Sequence, residues 1–314
     1  MNDVTGMMAP ALNRVSAYFA PVNRASRQAS IFDPAQNGSF NLSTPPAPWI
    51  RLGWIDGFNR KCGSKIEPIR MGAPASTAFQ AKTEVEAIVS FSFQSWGKLQ
   101  LALSSGTQQM NLLQVAAGAS LERSGGTAVT ATVLQAGSTA NVLQVGTAIS
   151  TFATGGLVAV DVDYLAQTGF IGSGVSGAYV TSALADIDYV RRVSLNVGRI
   201  TSISGTGAIT LEYPLLAGIP TLAMKVSNVV GFCDREGSSF FQEWSAVFIG
   251  EGQQGERIIW HYPRLQAMNG IAETNIAATG GYEKVELSAA FRALPVSDPV
   301  DGETVVCFRS YVAG

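Results

Sequence analysis

Charge is what this chain has least of. Asp, Glu, Lys and Arg together make up 14% of its 314 residues, against about a quarter in an ordinary soluble domain. A chain so poor in charge, yet 46% hydrophobic, is expected to cover much of its surface against other copies. Histidine is nearly missing. His261 is the single imidazole, between Trp260 and Tyr262, and no G-x-S-x-G serine elbow occurs. One imidazole anchors neither a catalytic triad with that elbow nor a histidine metal cluster. Cys62, Cys233 and Cys307 include no CxxC pair, which excludes a local zinc knuckle or a thioredoxin-like motif. They read as free thiols in a reducing cytoplasm.

Other absences narrow the field further. No stretch approaches the 18 apolar residues of a membrane-spanning helix. The first residues lack a basic start followed by an apolar block, so no secretory signal is expected and the sequons at Asn37 and Asn41 carry no meaning. No basic stripe interleaved with aromatics is present, which argues against a nucleic-acid-binding role. A phosphate-cradling GxxxxGK[ST] is missing too.

The net charge of −2 is unevenly spread. Residues 1–80 carry +4, residues 81–230 carry −1 and residues 231–314 carry −5. A basic front and an acidic end suit head-to-tail contact between subunits.

What is present is β-structure. In "KTEVEAIVSFSF" (82–93), Thr83, Val85, Ala87, Val89, Phe91 and Phe93 alternate with Lys82, Glu84, Glu86, Ser90 and Ser92. Such alternation predicts a long strand with one buried and one wet face. A helix near 95–105 is expected next, capped by Ser95 and stopped by Gly106, with Trp96, Leu99 and Leu103 at helical spacing. "PWIRLGWIDGF" (48–58) reads as a strand ending in a turn at Asp56-Gly57. Strands are predicted again at 240–249 and 256–262, joined by "GEGQQG", then at 283–293 and in the closing "ETVVCFRSYV". Between them lies a stretch of Ala, Gly, Ser, Thr and Val with Gly-rich turns. The expected class is all-β with one or two short α-helices. Its parts are an N-terminal arm (1–45) with at most one short helix, a β-sandwich (46–110 and 231–314), and an inserted β-rich domain (111–230) that is briefly helical at most near 178–190.

Three patterns invite a chemical reading. Asp161 and Asp163 share a strand face, as do Asp186 and Asp188; converging, the four could hold Ca²⁺ or Mg²⁺, and otherwise they are a solvated edge paired with Arg191 and Arg192. Gly172, Gly174 and Gly177 match G-x-G-x-x-G. The preceding strand carries two aspartates, however, and the next acids come too soon for a dinucleotide site, which favours a plain glycine loop. "DREGSSFFQEWSAVF" (234–248) is the densest knot of charge and aromatics. Its strand pattern sets Asp234, Arg235 and Glu236 at a turn, not in a cleft. With Phe241 and Trp244 they are expected to form a subunit contact. No catalytic residue, cofactor or metal ligand is assigned.

The chain resembles the tail tube proteins (major tail proteins) of tailed bacteriophages. The resemblance lies in "EVEAIVSFSFQSWGKLQLALSSGTQQMN", the preceding "PWIRLGWIDGFNRKCGSK", the segment "DREGSSFFQEWSAVFIGEGQQGERIIWHYPRLQ" and the closing "FRALPVSDPVDGETVVCFRSY". It implies a β-sandwich flanked by a helix, six copies of which close into a ring whose inner strands form one barrel. Rings would stack around a tape-measure protein and meet tail terminator and baseplate proteins. DNA would pass through without specific binding. It implies a virion protein of the tail, assembled in the host cytoplasm, and no enzyme. The bore should be neutral or negative, because a basic channel would hold DNA by counterion release. Glu84, Glu86, Ser90, Ser92, Glu243 and Ser245 are the candidate linings, with Lys82 expected at a strand end or paired. The alternatives are a head–tail joining or capsid decoration protein, or a β-rich carbohydrate-active enzyme acting through the four aspartates.

Overall fold

The structure, a computed structural model, describes residues 12–23, 26–114, 131–161, 168–170, 176–178, 195–237, 242–268, 272–277, 283–298 and 300–313. Strands β1 (Leu12–Pro21), β2 (Ile50–Met71) and β3 (Ser76–Phe93) precede the helix α1 (Lys98–Ser105). Then come β4 (Gln108–Leu113), β5 (Thr132–Val133), β6 (Val142–Gln144), β7 (Leu157–Asp161), β8 (Thr168–Phe170) and β9 (Ser176–Ala178). They are followed by β10 (Val197–Ile203), β11 (Ala208–Leu211), β12 (Lys225–Arg235), β13 (Glu243–Gly252) and β14 (Arg257–Ala267). The last are β15 (Ala272–Ala277), β16 (Glu283–Ala293), β17 (Val296–Ser297), β18 (Thr304–Val305) and β19 (Phe308–Val312). The protein is mostly β, as the alternating sequence requires. It divides into two compact units, Met1–Gly106 with Phe241–Gly314, and Thr107–Phe240.

In the first unit, eight antiparallel strands run in the order β15-β16-β3-β2-β1-β13-β14-β19. β14 is shared: residues 257–261 pair with β19, while Leu265, Gln266 and Ala267 pair with Ala293, Arg292 and Phe291 of β16. The path β16-β3-β2-β1-β13-β14 therefore closes on itself, which removes the unpaired edges that six long strands would otherwise present. Phe19, Phe91, Trp244, Phe248, Tyr262 and Phe291 fill the interior. Phe19 is the hub, with ring centroids 5.5 Å from Phe291, 5.8 Å from Phe248 and 6.3 Å from Trp244.

The opposite face of β1 and β13 is covered as well. Tyr18, Ala20, Val247, Ile249 and Ile259 pack under Phe32, Phe40 and Trp49, and the Tyr18 hydroxyl donates to the Leu42 carbonyl at 2.9 Å. Residues 12–23 are thus not an extended arm but carry a central strand, in which Ala17, Tyr18, Phe19 and Ala20 are no more than 1% exposed. "VSAYFA" is apolar on both faces, and a strand buried on both sides has no period-2 signature to betray it.

β2 and β3 form one long hairpin. Asp56-Gly57 is not its turn: the strand runs through with a register shift between Asp56 and Asn59 and a left-handed Gly57 at φ 60°. That geometry is a β-bulge. The chain reverses at residues 72–75 instead, starting from Gly72 at φ 92°. Buried alternation in β3 begins only at Ala87, whereas Thr83 and Val85 are exposed.

Helix α1 starts later than its sequence suggests. Gly97 is the N-cap with no side-chain cap, and Trp96 is exposed. Its stop is the expected Gly106, left-handed at φ 60°, donating to the Ala102 carbonyl. A Cβ at Gly106 would also meet Ala267 Cβ at 2.9 Å. The Ser104 hydroxyl fastens the helix to the Ser288 carbonyl of β16.

The second unit is a sheet in the order β6-β11-β10-β7-β12-β4-β9-β8, with β5 also pairing β12. Leu143, Val158, Val160, Ile200, Ile209, Leu211 and Val226 form its core. The helix considered near 178–190 lies outside the described residues but for Ala178, which ends β9. Gly177 pairs with Gly169 between antiparallel strands, an arrangement foreign to a dinucleotide turn.

Candidate assembly interface

The clearest functional surface is the outer half of the β2–β3 hairpin. Every residue of 61–80 and 82–86 is exposed, on both faces of a two-stranded ribbon. Register explains its chemistry. Opposite residues share a face, so Ile69 stands with Phe79, and Lys65 with Glu84. Lys65 reaches Glu67 at 3.0 Å and Glu84 at 3.7 Å. Ile66 is 53% exposed, Met71 60%, Phe79 58% and Val85 48%. A ribbon of two strands is marginal in water by itself, and each such side chain releases about 1.5–3 kcal/mol when it is buried. The ribbon is built to be covered.

Sequence signals for this arm exist but are easily misread. Thr83 and Val85 alternate like the residues that follow them, and alternation marks a strand without saying which half lies over a core. Pro68, opposite Gln80 inside β2, is the better clue. A proline there is tolerated only where its strand has no second neighbour.

The residues of the expected contact around 234–248 fall in different settings. Asp234 to Glu236 belong to the second unit and Trp244 to the first. Asp234 is partly buried, and its Oδ2 accepts from the Thr107 hydroxyl at 2.6 Å. Arg235 ends β12, its backbone opposite Gln108, and Glu236 is exposed in the following turn. Phe241 lies outside the described residues. Trp244 is 2% exposed inside the barrel, so its indole has nothing to offer a neighbour.

The candidate linings divide in the same way. Glu84 and Glu86 are exposed, the first beside Lys65 and the second 3.0 Å from Arg292. Ser90 and Ser92 are half-buried on the same strand, paired across to Ala290 and Ser288. Lys82 sits opposite Ile66 within β3, away from either strand end.

Glu243 and Ser245 do not line an open surface. β13 is packed on both faces, and Ser245 is fully buried, donating to the Pro263 carbonyl at 2.7 Å and accepting from the Ser30 N–H. Glu243 is clamped by Arg264 through two bonds of 2.7 and 2.9 Å, with Gln266 donating to it at 3.1 Å. That pairing holds the Arg264 guanidinium above its ordinary pKa.

Of the four aspartates, Asp161 is fully buried at the end of β7, opposite Lys225. Asp163, Asp186 and Asp188 lie outside the described residues. Among the described residues, no group of three His, Cys, Asp or Glu side chains is placed to hold a metal ion. His261 is 2% exposed between the barrel wall and its cover.

No family model matches this chain, and no curated protein matches it.

Proposed function

We propose that this chain is a self-assembling structural subunit, the tube protein of a phage tail, whose copies form six-membered rings that stack into a conduit for DNA. The observation that carries the reading is the exposed β2–β3 arm. It presents Ile66, Ile69, Met71, Phe79 and Val85 to solvent on a ribbon with no core of its own. Among the described residues the eight-stranded sheet also ends in two outer strands, β15 and β19, whose far sides suit pairing with further copies. Repetition of one such heterologous contact closes a ring or extends a tube. Glu84 and Glu86 stand near Lys65 and Arg292, leaving that face close to neutral. Near-neutrality suits a wall that DNA slides along. In the same reading, the unit of residues 107–240 is an insertion that decorates the tube.

The test is the double variant Ile69→Ser with Phe79→Ser. Both side chains are exposed in the monomer, so the variant should keep the wild-type circular dichroism and melting curve. Its mass by light scattering should fall to that of a monomer at concentrations where the parent assembles. Unchanged assembly of the well-folded variant would refute the role of the arm.

A further inference from the structure

Two of the three cysteines lie near one Arg60–Tyr262 pair at the base of the arm, although they are far apart in sequence. Cys62 follows Arg60 by two residues on β2, so their side chains share a face. Arg60 Nε donates to the Tyr262 hydroxyl on β14 at 3.1 Å. The β14–β19 register runs Trp260↔Arg309 and His261↔Phe308. Cys307 immediately precedes Phe308, just past the last paired position, and neighbours Tyr262. Cys62 and Cys307 therefore flank one Arg60–Tyr262 pair.

The electrostatics agree with that placement. Burial pushes the Cys307 thiol up, Arg60 and a hydrogen bond with Tyr262 pull it down, and the neighbouring Cys62 adds a smaller upward push. The Tyr262 phenol is pushed up to about 12, first by burial and then by Cys307. Cys62 is exposed, whereas Cys307 is half-buried.

We propose that Cys62 and Cys307 form a reversible disulfide that staples the base of the arm to the segment leading into β19. A small disulfide such as oxidised glutathione supplies the oxidising power. The exposed Cys62 thiolate attacks one of its sulfurs, forming a mixed disulfide and releasing one glutathione thiolate. The Cys307 thiol then gives its proton to solvent and attacks the Cys62 sulfur, expelling the second glutathione. Two protein thiols lose two protons and two electrons, and one small disulfide becomes two thiols. Arg60 stands where it stabilises the thiolate in the second step. In a reducing cytoplasm the staple stays open; in an oxidising medium it closes. It would fix the arm at Cys62, the inner end of its exposed half, and leave the apolar residues from Ile66 onward uncovered.

The full-length protein, incubated with oxidised glutathione, alkylated and digested, should yield a Cys62–Cys307 cross-linked peptide. Cys233 should remain alkylated. The link should vanish in Cys62→Ser and Cys307→Ser, persist in Cys233→Ser, and raise the melting temperature until dithiothreitol is added. Three alkylated cysteines after oxidation, stable glutathione adducts without a cross-link, or a link through Cys233 would each overturn the proposal.

Discussion

Phe32 donates its backbone N–H to Nε2 of His261 at 3.3 Å, while Nδ1 of the same ring lies 3.2 Å from the Ala246 carbonyl. With a carbonyl on one side and an N–H on the other, the neutral ring carries its proton on Nδ1. Phe308 stacks on it at 17°, and Trp49 and Phe32 meet its edge. The one histidine is thus a pin between the cover over β1 and β13 and the wall beneath.

That pin should be acid-sensitive. Burial lowers the His261 pKa from 6.5 to about 4. The folded pKa lies below the unfolded one, so its stabilisation is complete above pH 6.5 and is lost as pH falls towards 4. A protonated ring also has no acceptor left for Phe32. The full span corresponds to about 3 kcal/mol. Urea unfolding at pH 7 and pH 4.5 should show a larger loss for the parent than for His261→Gln. Equal losses in the two proteins would show that His261 plays no part.

Trp244 tests the division between core and surface. With its indole against Phe19 in the barrel, Trp244→Ala should cost about 3–5 kcal/mol of stability. A variant as stable as the parent but unable to assemble would instead return Trp244 to a subunit contact.

Glu243 and Arg264 form a two-toothed, half-buried pair. Glu243→Ala strands the guanidinium and should cost about 1–3 kcal/mol. The double variant with Arg264→Met should recover part of that loss. Denaturant titration of the four proteins in the cycle gives the coupling, and additivity of the two losses would argue against the pairing.

Legibility followed the wet faces. β16 could be placed because Leu287, Ala289 and Phe291 alternate with polar neighbours, and the β13–β14 hairpin because "GEGQQG" interrupts two apolar runs. β1 is not legible in the sequence, since Tyr18 faces the cover while Phe19 faces the barrel, leaving no wet side to mark the period. The same two-sided burial misplaced Glu243 and Ser245. The exposed arm was hidden in a pattern identical to that of its buried half. That Cys62 and Cys307 share the Arg60–Tyr262 pair as a neighbour depends on strand order, which no local spacing encodes.

Self-assembly is the central claim, and negative-stain electron microscopy of the purified full-length protein tests it most directly. Rings with six-fold symmetry, or hollow tubes built by stacking them, are the expected images. A field of single, unassociated subunits at every concentration and ionic strength tried would contradict it.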